Sequence, residues 1–166
     1  MPGVTPFQTV GPFFEVLLRT RTPLAPPAAS AGAPIIISGV LSDGNGRPIP
    51  DGLVETWQPD AGGGYRWSAT DDAGRFRIET VRPKPVAAPD GQSQAPHLLI
   101  GVVARGILTR YVTRAYFDDE PSNGLDPILA MVPAGRRHTL IATLEGGLYR
   151  FDIRVQGTNE TVFFDV

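Results

Sequence analysis

Apolar positions in this chain recur at every second residue far more clearly than at every third or fourth. Over 149–155, Tyr149, Phe151, Ile153 and Val155 alternate with Arg150, Asp152 and Arg154. Over 75–81, Phe76, Ile78 and Thr80 alternate with Arg75, Arg77 and Glu79. A period of two puts one set on the buried face of a strand and the other in water. Further strands are predicted over 35–41, 53–57, 98–104 and 108–117, which are rich in β-branched or aromatic residues, and a last one over 161–166. Turn signals separate them, notably Ser42-Asp43-Gly44-Asn45-Gly46 and Asp71-Asp72-Ala73-Gly74, and 58–64 reads as a loose loop. Helical pattern is weak: 127–132 could make a turn or two, and 136–144 fits either state. Many short strands joined by tight turns predict an all-β fold, an antiparallel β-sandwich with little helix.

The first residues break this pattern. Thr5-Pro6-Phe7-Gln8-Thr9-Val10-Gly11-Pro12-Phe13-Phe14 holds two prolines and three phenylalanines. It is too proline-rich for a helix and too apolar for a free tail, so it reads as an extended arm that packs on something. The Pro- and Ala-rich stretch 24–34 reads as a surface linker. With 166 residues against about 150 for a typical domain, the expected organisation is one domain: arm and linker over 1–34, β-sandwich over 35–166.

Composition narrows the function. Hydrophobic residues at 42% and charged ones at 19% suit a folded globular chain, and 19 Gly and 17 Pro spread between the apolar runs suit a turn-rich one. A net charge of −2 gives no broad basic footprint, so nucleic acid is not an expected partner. Zero cysteines exclude disulfides and thiolate chemistry. No apolar run approaches the roughly 18 residues of a bilayer span, and the start lacks the basic and apolar regions of a signal peptide. No membrane partner is expected, and the cytoplasm is the expected location. Asn159-Glu160-Thr161 matches a glycosylation sequon, which without a secretion signal reads as chance.

Candidate chemistry centres on His97. A pair of histidines at i and i+2 on a strand would make a metal-binding comb, but the position two along is Leu99. The other histidine, His138, lies beside Arg136 and Arg137 and reads as a surface residue. Alone, His97 reads as structural. Asp118-Asp119-Glu120 reads as a solvated loop, because adjacent carboxylates point in alternating directions. Asp43-Gly44-Asn45-Gly46 lacks the acidic ending of a calcium loop, and Gly62-Gly63-Gly64 lacks the Lys-Ser/Thr of a phosphate cradle. No Gly-x-Ser-x-Gly elbow is present. Arg105, in Ala104-Arg105-Gly106-Ile107 where an apolar strand ends, could bind a carboxylate with both arms of its guanidinium or be a solvated turn arginine.

Longer blocks carry a resemblance. Ile37-x-Gly39-x-Leu41, Gly46-Arg47-Pro48-Ile49-Pro50, Leu53-Val54-Glu55-Thr56-Trp57-Gln58-Pro59-Asp60-Ala61 and Gly64-Tyr65 come first. Ala95-Pro96-His97, Thr113-Arg114-x-Tyr116-Phe117-Asp118-Asp119-Glu120 and Tyr149-Arg150-Phe151-Asp152-Ile153-Arg154-Val155-Gln156-Gly157 follow in order. Together the sequence resembles the intradiol ring-cleavage dioxygenases over most of its length except the linker after Arg21. The resemblance implies a β-sandwich and an enzyme family that holds ferric iron on two tyrosines and two histidines. Here the Pro-x-His-x-His motif is Pro96-His97-x-Leu99, the Lys-Pro-Gly-Pro-Tyr segment is Arg82-Pro83-Lys84-Pro85-Val86, and no tyrosine lies between Tyr65 and Asp72-Ala73-Gly74.

That departure, with Gln8-Thr9-x-Gly11-Pro12 and the closing blocks through Glu160-Thr161-Val162-Phe163-Phe164-Asp165, is similar to the iron-free alpha chain of the family's two-chain enzymes. It implies that this chain binds no cofactor and contributes no catalytic residue or metal ligand. Fe(III) would sit in a partner beta subunit, within a hetero-oligomer that cleaves a small aromatic carboxylate with O2. The alpha chain would line the partner's substrate pocket with Gly11, Pro12 and Arg105, and Phe13 stands where a tyrosine is usual. The rival expectations are a non-catalytic β-sandwich binding or scaffolding module, and a self-sufficient enzyme using other residues.

Overall fold

The structure, a computed structural model, describes residues 6–20, 32–59, 64–87 and 91–165. Most of the predicted 24–34 linker and Gly62-Gly63 lie outside the described residues.

Among the described residues the fold is mostly strand. β1 (Pro34–Ser42), β2 (Leu53–Gln58), β3 (Gly64–Ala69) and β4 (Arg75–Val81) come first. A small hairpin of β5 (Val86–Ala87) and β6 (Ser93–Gln94) precedes β7 (His97–Val103) and β8 (Tyr111–Phe117). Two 3-10 turns (Pro121–Leu125, Ala134–Leu140) flank the short helix α2 (Pro127–Met131), and β9 (Ile141–Glu145), β10 (Leu148–Arg150) and β11 (Ile153–Arg154) close the chain. Hydrogen bonding runs β11-β1-β10-β9-β8-β7-β2-β3, with β4 on the other edge of β1. The Arg77 N–H donates to Ser68 Oγ at 3.2 Å, so β4 lies beside β3 and the sheet nearly closes on itself.

Two layers face each other across one core. Ile37, Leu41, Phe76, Ile78, Tyr149 and Ile153 come from β1, β4, β10 and β11; Val54, Leu98, Ile100, Val102, Ala115 and Phe117 meet them from β2, β7 and β8. Burying each large aliphatic or aromatic side chain stabilises the fold by about 1.5–3 kcal/mol. The predicted alternation in 75–81 is observed, with Phe76, Ile78 and Thr80 buried and Arg75, Arg77 and Glu79 exposed. A second cluster of Ala95, Tyr116, Leu129, Val132 and Leu140 covers one end of the outer face of β8 beneath α2. Farther across that layer, Trp57 and Tyr65 are 47% and 44% exposed.

The sandwich is the predicted class, and several elements differ in detail. Residues 149–155 are two short strands rather than one. Both run parallel to β1, but the Val40 N–H donates to Asp152 Oδ1 at 3.0 Å, so a side chain takes the place of a backbone rung between them. Gly39 is what lets the chain pass there, since a Cβ on it would overlap the Phe151 carbonyl oxygen. β8 and β9 also pair in parallel. Residues 64–69, for which the pattern predicts no strand, form β3, and 108–110 belong to the turn before β8. The 136–144 ambiguity resolves as 3-10 turn, then β9. Residues 161–165 form no strand; they follow β8 through single bonds such as Thr113 Oγ1 to the Val162 carbonyl (2.6 Å) and Phe164 N–H to the Val112 carbonyl (2.8 Å).

The arm differs most. It is irregular over 6–12 and then turns into α1 (Phe13–Thr20). Pro12 is tolerated because it stands before the first full turn, where its missing N–H goes unused, and the Phe14 N–H closes that turn onto the Gly11 carbonyl at 3.1 Å. From there Val16, Leu17 and Leu18 propagate the helix, with only Leu18 of the three buried.

Candidate functional site

The site is built on the turn that follows β7. Ala104 and Ile107 are both buried, so they anchor the turn while Arg105 and Gly106 are pushed into solvent. The Ile107 N–H bonds the Ala104 carbonyl at 3.2 Å, and Gly106 has φ +84°, a left-handed conformation open mainly to glycine. Arg105 therefore stands out from a fixed corner.

Two neighbours hold that corner. Below it lies Asp51, whose side chain is only 6% exposed and whose Oδ2 accepts from Arg105 Nε. Asp51 is placed by Thr70, whose Oγ1 donates to the Ile49 carbonyl at 2.7 Å and accepts the Gly52 N–H at 2.8 Å. Above it lies the arm. Thr9 Oγ1 accepts the Gly106 N–H at 2.7 Å and donates to the Ala104 carbonyl at 3.4 Å. This clip across 97 residues ties the arm to the Arg105 turn, with Gly11 and Pro12 two and three positions further along, both exposed. No described atom lies within 4 Å of a Cβ built on Gly11, so this chain's own packing does not require glycine there.

Of the three residues singled out from the sequence, Arg105 stands on a turn that Thr9 ties to the arm carrying Gly11 and Pro12. Sequence reasoning missed the two that hold this turn. Asp51 sits in Ile49-Pro50-Asp51-Gly52, which carries only a turn signal, and Thr9 lies in a segment whose packing partner cannot be read from periodicity.

His97 lies elsewhere, at the start of β7, and is buried with its ring 5.4 Å from that of Tyr116. Its Nδ1 is 2.8 Å from the Ala95 carbonyl, and burial pushes its pKa below the ordinary histidine value despite that bond. Leu99 is half-buried two residues on, and Val86 occupies the short β5. Tyr65 donates its hydroxyl to Glu55 Oε1 at 2.7 Å; burial, then that bond, raises its pKa to about 12, which disfavours a phenolate. One imidazole, with Leu99 two positions on and Val86 in β5, does not fit ferric iron, which needs several anionic or nitrogen donors converging on one point. Among the described residues no three His, Cys, Asp or Glu side chains come together in that way.

His138 is exposed, as expected. The acidic trio lies in a loop with Asp118 and Asp119 exposed, as its sequence suggests, but its carboxylates are engaged. Arg82 reaches Asp119 at 2.9 Å and Glu120 at 3.4 Å, stacks over the Phe117 ring at 4.1 Å and bonds the Tyr149 hydroxyl. Tyr149 donates to Asp119 at 2.9 Å, while Asp118 accepts the Leu144 N–H at 3.1 Å. These carboxylates knit strand ends together.

Comparison with known proteins gives a consistent picture. A family model described as Dioxygenase matches residues 19–157. The chain is 38% identical over 195 aligned positions to the protocatechuate 3,4-dioxygenase alpha chain of Burkholderia cepacia, covering 98% of this chain and 97% of that one. It is 30% identical to the protocatechuate 3,4-dioxygenase beta chain of the same organism, covering 78% of this chain and 67% of that one. Among solved structures it superposes on 3-chlorocatechol 1,2-dioxygenase from Rhodococcus opacus 1CP with a TM-score of 0.58 and 22% identity, over 78% of this chain and 62% of that one, a likeness of fold.

Proposed function

The chain belongs to the intradiol dioxygenase family, and on that premise we propose that it is the iron-free alpha subunit of a protocatechuate 3,4-dioxygenase. In this reading it pairs with an iron-bearing beta subunit, and the complex cleaves protocatechuate with O2 to 3-carboxy-cis,cis-muconate. The near full-length likeness to an alpha chain, at higher identity than to a beta chain, supports it and leaves the scaffolding alternative without a supporting observation. Ferric iron in the partner supplies the activation of the catechol ring.

This chain's own contribution is binding and exclusion of water. The observation that supports this role is the Thr9 clip, which ties the arm carrying Gly11-Pro12 to the Arg105 turn. A guanidinium there meets the ring carboxylate of the substrate, and a charge-assisted bond of this kind contributes about 1.5–3 kcal/mol. Gly11 admits close approach by ligand or partner because it carries no side chain. The exposed Phe7, Phe13, Val16 and Leu17 of the arm and α1 are apolar surface that a partner subunit would cover. No described helix is long and apolar enough to cross a membrane, and a chain without cysteine suits the cytoplasm, where we place the complex.

Co-expression with a chain that carries both tyrosines and both histidines tests the reading. The pair is expected to copurify as a coloured ferric complex active on protocatechuate, while this chain alone is inactive. Stoichiometric iron and full turnover in the isolated chain would refute it.

A further inference from the structure

Arg105 is held from two sides by residues of its own chain. Beneath it, Asp51 is buried and set in a loop that Thr70 staples at both Ile49 and Gly52. On the other side, Thr9 accepts the Gly106 N–H and donates to the Ala104 carbonyl, so it spans both peptide groups that flank Arg105. A surface arginine ordinarily samples many rotamers, and ordering it in a ligand's presence lowers affinity. A buried carboxylate on Nε removes most of that freedom beforehand, and the Thr9 clip fixes the backbone from which the side chain projects.

We infer that Asp51 and Thr9 are positioning residues for Arg105, aiming its guanidinium at the carboxylate of the substrate and so setting the preference of the complex for a carboxylated over an uncharged catechol. The inference rests on the reading of Arg105 as a pocket residue and adds the elements that aim it. Asp51 acts by charge and burial, Thr9 by two hydrogen bonds. Neither need touch the substrate.

The test measures kcat/KM for protocatechuate and for catechol on the assembled alpha–beta complex, and takes their ratio. R105A is expected to lower the ratio about tenfold or more, the loss of one charge-assisted bond. D51N, nearly isosteric, is expected to lower it several-fold through KM for protocatechuate, with catechol kinetics little changed. T9V, which keeps the shape and removes both hydrogen bonds, is expected to act in the same direction. In R105A/D51N the second change should add nothing, because both act through one group.

A purely structural role would depress both substrates together and leave the ratio unmoved. If R105A lowers the ratio while D51N and T9V leave it at the wild-type value, the inference is overturned and the pocket reading stands. If R105A itself leaves the ratio unmoved, the pocket reading of Arg105 fails and the inference falls with it. Should D51N fail to assemble, the exposed Thr9 decides: an assembled T9V complex with wild-type preference overturns the inference.

Discussion

His97 carries its proton on Nδ1, because the Ala95 carbonyl 2.8 Å away can only accept. This is the tautomer that a histidine ligating through Nε2 would need, here left to a structural role between Ala95 and Tyr116. Its position gives it a pH signature. Burial holds the folded-state pKa below the ordinary 6.5, so as pH falls the unfolded chain takes up the proton first. The stability from neutral His97 is whole above pH 6.5 and declines as pH drops through 6.5 toward the folded value, at no more than about 1.4 kcal/mol per pH unit. Urea midpoints at pH 7.5, 6.5 and 5.5 are expected to fall more steeply for wild type than for His97→Gln; parallel lines would remove the claim. That His97 lacked a partner was legible from Leu99 alone. That Asp51 lies under Arg105 was not, because an ion pair between residues 54 positions apart leaves no periodic trace.

Among elements, α1 shows how a local rule can be right and incomplete. The prolines do keep residues 6–12 irregular, yet Pro12 is compatible with the first turn of a helix and the run after it is free to wind. The helix leaves Phe13, Val16 and Leu17 at 82%, 58% and 49% exposure, which suits a face covered in an assembly. Val16→Asp is expected to change the stability of the isolated chain by less than about 0.5 kcal/mol. Calorimetric titration with the partner subunit should show association weakened tenfold or more, and an unchanged Kd would mean that α1 faces water in the complex. β4 was legible because its alternation holds from Arg75 to Thr80. β3 was not: Trp67, Ser68 and Ala69 are all half-buried, so Gly64–Ala69 lacks the contrast that marks a face. The break between β10 and β11 was hidden for another reason, since Asp152 fits the polar side of the pattern whether its side chain meets water or the Val40 N–H.

At the scale of the molecule, periodicity announces the sandwich but not which strand lies beside which. The parallel contacts of β1 with β10 and β11, and of β8 with β9, follow from connections no local pattern encodes. The Arg82 cluster belongs to this scale, because it ties the end of β4 to β10 and to the segment after β8. Arg82→Ala is expected to lower unfolding free energy by about 1–2 kcal/mol, since it breaks two part-exposed ion pairs and uncovers Phe117. The Ser122 hydroxyl, then the Ser122 N–H and Arg82, hold Glu120 below the usual carboxylate range against burial; at Asp119 burial acts in the opposite sense but is outweighed by the bonds from Arg82 and Tyr149. Their stabilisation is present above the unfolded carboxylate pKa near 4 and is lost as pH falls through the lower folded values. Acid titration of unfolding should be flatter in the variant, and an identical acid slope would show the cluster to be idle. The long reach of β1 has a consequence during synthesis. Its outer rungs are supplied by residues more than 100 positions later, so its edge stays open until nearly the entire chain has left the ribosome. At about 5–20 residues per second, that leaves an apolar strand waiting on the order of 10 s for its neighbour, a window in which a chaperone or nascent partner chain would guard it.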